Sequence, residues 1–239
     1  MQQTVGMRQA VAALGVVLGL AGCALPAVPV LPIAGGLDQG PDWGLAEQRQ
    51  FYAEDQGSQL IPAAWLMALK RPDGQPFLAD KLARYGYLPN GFAPTSLLPV
   101  GFTLATRDGE APMVGLTCAA CHTRDIQVKG KTYRVDGGPA FADFQGLIGD
   151  LDAAAGTVAQ DPAAFEAFAA AVLPLGAGAA ERAKLRADFD LWYLRYHAIM
   201  EAALPRDAPW GPARLDAVGM IFNRARAHVF DAQTEQAIF

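Results

Sequence analysis

Two cysteines stand three residues apart, with two alanines between them and a histidine directly after: Cys118-Ala119-Ala120-Cys121-His122. On one helical turn, thiols at this spacing share a face and reach two vinyl groups on one edge of a planar ring. The next residue then turns its imidazole under the centre of that ring. Small residues between the cysteines keep clear of it, and alanine also favours the turn. The pattern is that of c-type haem attachment. It predicts one covalent haem c, bonded by Cys118 and Cys121, with His122 as the proximal iron ligand.

Rival chemistries fit less well. A structural zinc site takes four ligands, commonly two cysteine pairs or one pair with two closely spaced histidines. The other histidines, His197 and His228, are far from the cysteines and from each other. A thioredoxin-like pair belongs after a strand in a βαβ pattern, and none surrounds this one. A disulfide between residues three apart on a helix has poor geometry.

Several residues are candidates for the rest of the haem environment. Arg124 and Arg134 flank the motif and are the expected partners of the haem propionates; the alternative is ordinary surface arginines. The distal side is open to several readings. His197, His228, Met113, Met200 and Met220 are each conceivable sixth ligands, although methionines at helical spacing usually pack in a core. A site with no protein ligand there is what oxygen or peroxide chemistry requires. Trp65 and Trp192 line the pocket or, by default, pack in the core.

A third cysteine, Cys23, closes an apolar run that begins at Ala10 and ends Leu20-Ala21-Gly22-Cys23. The run has the length of a signal-peptide core and is short for a bilayer span. Its end resembles the lipobox of bacterial lipoproteins, in which the cysteine is lipidated and becomes the new N-terminus. Residues 1–23 are therefore expected to be a lipoprotein signal peptide, 24–44 a Pro/Gly-rich tether, and 45–239 the haem domain. The expected location is the periplasm-facing cell envelope, lipid-anchored to a membrane. With Cys23 lipidated and the other two bonded to haem, no thiol is left to oxidise outside the cytoplasm.

The elements that must hold the motif read as mainly α. The 239 residues are 52% apolar and 18% charged, enough for a sizeable core. Helical spacing or capping predicts helices over Leu45–Gln56, Gln59–Lys70, Phe77–Tyr85, Gln145–Ala159, Ala163–Val172, Ala179–Leu204 and Leu215–Val229. Asp161-Pro162 reads as an N-cap with proline at the first helical position. Gly101–Ala105 and Met113–Leu116 read as short extended segments turning at Arg107-Asp108-Gly109. Apolar alternation around Lys129-Gly130-Lys131 predicts a small β-hairpin. The expected fold is a cytochrome c-like helical haem domain with that hairpin and a C-terminal helical extension. The net charge of −5 and the lack of a Lys/Arg block argue against nucleic acid as a partner.

Further stretches carry a family likeness. Gln56-Gly57-Ser58-Gln59-Leu60-Ile61-Pro62-Ala63-Ala64-Trp65, Arg84-Tyr85-Gly86-Tyr87-Leu88-Pro89, Leu98-Pro99-Val100-Gly101-Phe102, Val114-Gly115-Leu116-Thr117 running into the motif, Val135-Asp136-Gly137-Gly138-Pro139-Ala140 and Gly211-Pro212-Ala213-Arg214-Leu215-Asp216-Ala217 together resemble the dihaem cytochrome c peroxidase-like group that includes the bacterial rubber oxygenases. The match is to that family's N-terminal haem region, and the second C-x-x-C-H of its longer members has no counterpart in these residues. The resemblance implies an oxidoreductase acting on peroxide or O2. The motif alone implies a one-haem electron carrier that meets a redox partner protein in the cell envelope.

Overall fold

The computed structural model describes residues 35–229 other than Asp108 and Arg206, and not the side chains of residues 227–229. Cys23, the expected leader, residues 24–34 and the His228 side chain lie outside the described residues, as does the middle of the turn expected at Arg107–Gly109.

Among the described residues, β1 (Gly35–Gly36) leads to α1 (Leu45–Ala53), β2 (Ile61–Pro62) and α2 (Ala63–Ala68). A 3-10 turn at Ala83–Tyr85 precedes β3 (Phe102–Ala105) and β4 (Met113–Leu116). The one-turn α3 (Cys118–Cys121) is followed by β5 (Thr123–Val128) and β6 (Lys131–Asp136). Four helices end the fold: α4 (Phe144–Gln160), α5 (Pro162–Val172), α6 (Ala179–Ala203) and α7 (Ala217–Val229).

The strands form two three-stranded sheets. One has the order β2-β4-β3 and is wholly antiparallel. The other has the order β1-β6-β5, with β1 parallel to β6 and β5 antiparallel to it. About 45% of the residues are helical and about 13% lie in strands, a mixed α/β fold. This corrects the expectation of a mainly α, cytochrome c-like helical domain. The strands that change the class are two to six residues long, and the shortest give no alternation from which to read a strand.

Particular elements show how local signals were kept or overridden. The hairpin β5–β6 pairs Val128 with Lys131, so its loop is Lys129-Gly130, both at positive φ (49° and 75°), which suits a tight two-residue turn. The Asp161 side chain accepts from Ala163 N and Pro162 opens α5, as the capping signal required. The helix expected over Gln59–Lys70 shortens to α2, because Ile61 and Pro62 are drawn onto β4 and Leu60 N donates to Val114 O. The helix expected over Phe77–Tyr85 shrinks to one 3-10 turn. Lys81 and Leu82 take positive φ (52° and 62°), which breaks the spiral.

The main core lies where α2, α4, α5 and α6 meet β4 and the chain before β3. The α6 chain runs antiparallel to α4: its Tyr196 hydroxyl donates to Ile148 O, while Arg186, two to three turns earlier, donates to Ala159 O. Trp65 packs against Phe168, Phe189 and Trp192 in this helical core. A smaller cluster of Tyr52, Val100 and Ala119, flanked by Phe51, Leu88 and Phe92, sits under α3.

Candidate functional site

The motif is the link between the two sheets. The first sheet's last strand ends at Leu116, α3 occupies Cys118–Cys121, and the hairpin of the second sheet begins at Thr123. Thr117 caps the turn, its hydroxyl accepting from Ala119 N at 3.2 Å, as a threonine before a helix favours. Thr117 N in turn donates to Gly101 O at 2.8 Å. On the far side, Gly137 N donates to His122 O at 2.7 Å and Ala140 N to Cys121 O at 2.8 Å. A four-residue helix cannot hold itself; these four bonds hold it.

Ala119 and Ala120 face the protein and are buried, while Cys118 is exposed and Cys121 half-buried. Both thiols are free, and the Cys118 thiol donates to Gln56 Oε1 at 3.1 Å. Burial, and secondarily the nearby Cys118, pushes the Cys121 thiol up, which keeps it protonated. Among the described residues no three His, Cys, Asp or Glu side chains are placed to hold one metal ion. Cys118, Cys121 and His122 thus do not converge as a three-ligand set.

The second sheet is fastened beside His122 by a buried carboxylate. Asp136, 5% exposed, pairs with Thr123 across the ladder. Its Oδ1 accepts from the Tyr52 hydroxyl (2.8 Å) and the Thr123 hydroxyl (3.2 Å), and its Oδ2 from Gln48 Nε2 (2.7 Å) and Trp43 Nε1 (3.2 Å). Gln39 closes the set, exchanging side-chain bonds with the Asp136 backbone. The part of the expected 24–44 tether that is described is therefore docked: Gly35 and Gly36 pair with β6, and Gln39 and Trp43 bond to Asp136.

The two arginines part company. The Arg134 guanidinium is 4% exposed, with Nε and one terminal nitrogen on Asp125 (2.8 and 3.2 Å) and the other on Pro89 O (3.0 Å). It is a buried structural clamp on the hairpin. Arg124 lies over the Phe141 ring, 4.0 Å from its centroid, and its buried Nε has no partner among the described residues. His197 does not extend freely: its Nδ1 is 2.8 Å from Asp152 Oδ2 on α4 and its ring stacks on Tyr193. Trp192 and Met200 pack against the helical core.

Sequence reasoning did not find Asp136 as a hub, the ring cluster of Trp43, Phe51, Tyr52 and Phe92 beside the motif, or Tyr87. Tyr87 and Asp136 stand in stretches that carry the family likeness, which marks the stretch but not the role of the residue, and Phe51 and Tyr52 stand side by side on the pattern of α1.

The residues present suit a haem. The donor set is two thiols on one turn followed by an imidazole. Two buried polar atoms nearby, Tyr87 Oη and Arg124 Nε, lack a partner among the described residues, a rare state in a folded interior.

No protein-family model matches the chain, and no solved structure matches it. It is similar to a protein of Sinorhizobium fredii (strain NBRC 101917 / NGR234) described as "Uncharacterized protein y4iJ", 34% identical over 193 residues. That likeness covers 70% of this chain and 31% of the other protein, so the chain spans about a third of that relative's length.

Proposed function

We propose that the chain is a covalent haem c protein of the cell envelope that passes single electrons to a redox partner protein. The observation that carries this reading is the pair of free thiols on one pinned helical turn between two sheets, with His122 next in line. Cys118 and Cys121 hold the ring by thioether bonds and His122 is the proximal ligand. Haem held in this way supplies a one-electron redox centre. Thr117, Gly101, Gly137 and Ala140 keep the turn from fraying, so the two sulfurs and the imidazole stay in register. Arg124 offers its unpartnered Nε to a carboxylate, and Arg134, spent on Asp125, supports the strand beside it. The exposure of Cys118 leaves one attachment point at the surface, where a docking protein exchanges electrons.

Lipidation of Cys23 and periplasm-facing anchoring belong to the same proposal, supported by the run into Cys23. Among the described residues no helix is long and apolar enough to cross a membrane. The test is haem staining after denaturing electrophoresis of chain made in a cell that matures c-type cytochromes. A stained band that disappears in the Cys118→Ala/Cys121→Ala double variant is expected; an unstained wild-type band overturns the reading.

A second reading, a peroxide- or O2-dependent oxidoreductase, is favoured by the family resemblance, and the likeness to a much longer protein is compatible with it. Carbon monoxide separates the two. A ferrous haem that binds it supports the oxidoreductase, and one that ignores it supports the carrier.

A further inference from the structure

α7 carries its apolar residues on the outside. At about 3.6 residues per turn, Val218, Ile221, Phe222 and Ala225 fall on one side of it, and Gly219 and Asn223 on the other. The apolar side is the exposed one: Val218 is 56% exposed, Ile221 67% and Phe222 57%, and Leu215, just before the helix, is exposed too. The opposite side, packed toward α6, holds Gly219 and Asn223, both buried. A surface helix ordinarily has the reverse arrangement, apolar stripe inward and polar residues outward. Single exposed apolar residues are commonplace, but a stripe of them along successive turns marks a contact surface. The helix is also well started, which fixes the stripe's direction: Asp216 Oδ1 accepts from Gly219 N at 2.7 Å and Asp216 O from Met220 N at 3.0 Å.

The charges beside the stripe indicate what covers it. Arg224 falls at one margin of the apolar side and Arg226 at the other, and Arg214 lies just before the helix. None of the ion pairs among the described residues involves these three arginines. The stretch from Arg214 to Arg226 holds one acid, Asp216, so it is locally basic in a chain whose net charge is −5. Apolar side chains edged by cations suit the boundary of an anionic bilayer, where the stripe enters the acyl region and guanidinium groups meet phosphates. A second copy docked through the same stripe would instead bring its own arginines against these.

We propose that α7 is a membrane-contact helix, its stripe of Val218, Ile221 and Phe222 lying in the surface of an anionic bilayer with Arg224 and Arg226 at the headgroup phosphates. The contact uses neither haem nor lipid on Cys23, so it stands or falls apart from both.

The test is hydrogen exchange of the full chain, read peptide by peptide. Exchange is measured without lipid, with vesicles of phosphatidylethanolamine and phosphatidylglycerol, and with vesicles of phosphatidylcholine alone. The apolar run before Cys23 offers another way onto a vesicle, so the readout is the α7 peptide rather than capture of the whole chain. Phosphatidylglycerol vesicles should slow exchange in α7 several-fold, less so as salt rises, and phosphatidylcholine should leave it nearly unchanged. Val218→Asp/Ile221→Asp should lose the protection while keeping the wild-type melting temperature, because both side chains are exposed. Should that pair give little folded chain, Val218→Ser/Ile221→Ser must show the same loss. Arg224→Gln/Arg226→Gln should need about 25-fold more lipid for half-protection, roughly fivefold for each arginine. An α7 peptide that exchanges alike with and without anionic vesicles overturns the proposal, and so does equal protection by both kinds of vesicle. Protection that grows with protein concentration in the absence of lipid overturns it in favour of a second copy.

Discussion

Gly101 and Ala120 touch backbone to backbone. A Cβ on Gly101 would stand 2.0 Å from Ala120 N, and Gly101 holds φ +77°, a conformation that L side chains rarely adopt. The carbonyl of the same glycine receives Thr117 N, so the start of β3 and the cap of the cysteine turn are one joint. Gly101→Ala meets both the strain of the left-handed region, about 1–3 kcal/mol, and a clash that only backbone movement relieves. The expected outcome is a melting temperature lower by roughly 2–4 °C for each kcal/mol lost, together with reduced haem staining. Calorimetry and a stained gel check both; an unchanged yield of stained protein would show that the joint is not needed for attachment.

Asp136 should be among the least replaceable residues outside the motif. Its carboxylate satisfies four donors from Trp43, Gln48, Tyr52 and Thr123. Asp136→Ala leaves the buried Tyr52 and Thr123 hydroxyls and the half-buried Gln48 and Trp43 N–H groups without this acceptor, and should cost about 1–3 kcal/mol for each buried group left unsatisfied. Asp136→Asn keeps one oxygen but turns an N–H toward two of the donors, so it should fall between wild type and alanine. Urea denaturation measures the order, and an alanine variant as stable as wild type would sink the account.

The two thiols should differ in reactivity in chain that carries no haem. Cys118 is exposed and Cys121 is half-buried with its thiol pushed up by burial, so iodoacetamide should modify Cys118 several-fold faster. Peptide mass spectrometry reads the two sites separately.

The same shift sets a pH dependence. The Cys121 thiol holds its proton more tightly in the fold than in the unfolded chain. Its contribution to stability is therefore complete below the ordinary thiol value and is lost as pH rises through the raised one. Haem-free chain should weaken on the alkaline side of the ordinary thiol range. A thioether has no proton to lose, so haem-bearing chain should lack this component. Denaturation midpoints across an alkaline pH series, with and without haem, check the difference.

His122→Ala should separate attachment from ligation. Both sulfurs remain on the pinned turn, so haem should stay attached, in lower yield than in wild type, while the iron loses its axial nitrogen. His197 is not a ready substitute, since its ring is engaged with Asp152 and Tyr193. Electron paramagnetic resonance of the ferric protein reports the change; a wild-type signature would displace His122 from the proximal role.

What the sequence determined by itself is what a few neighbouring residues encode. Cys118, Cys121 and His122 share one turn, so their spacing alone states the chemistry proposed for them. Lys129-Gly130 makes a two-residue turn, Asp161-Pro162 opens a helix, and the stripe of Leu185, Phe189 and Tyr196 buries one side of α6, each because the physical cause is local. The tertiary structure alone decided where that turn sits. Tyr52 and Trp43 reach Asp136 across 84 and 93 residues of chain, and no local pattern announces a partner at that separation. The two-residue strands β1 and β2 form only because β6 and β4 lie beside them to accept the pairing. The mixed α/β class, the role of Gly101 and the unpartnered hydroxyl of Tyr87 arise in the same way, from contacts that the chain makes only after it has folded back on itself.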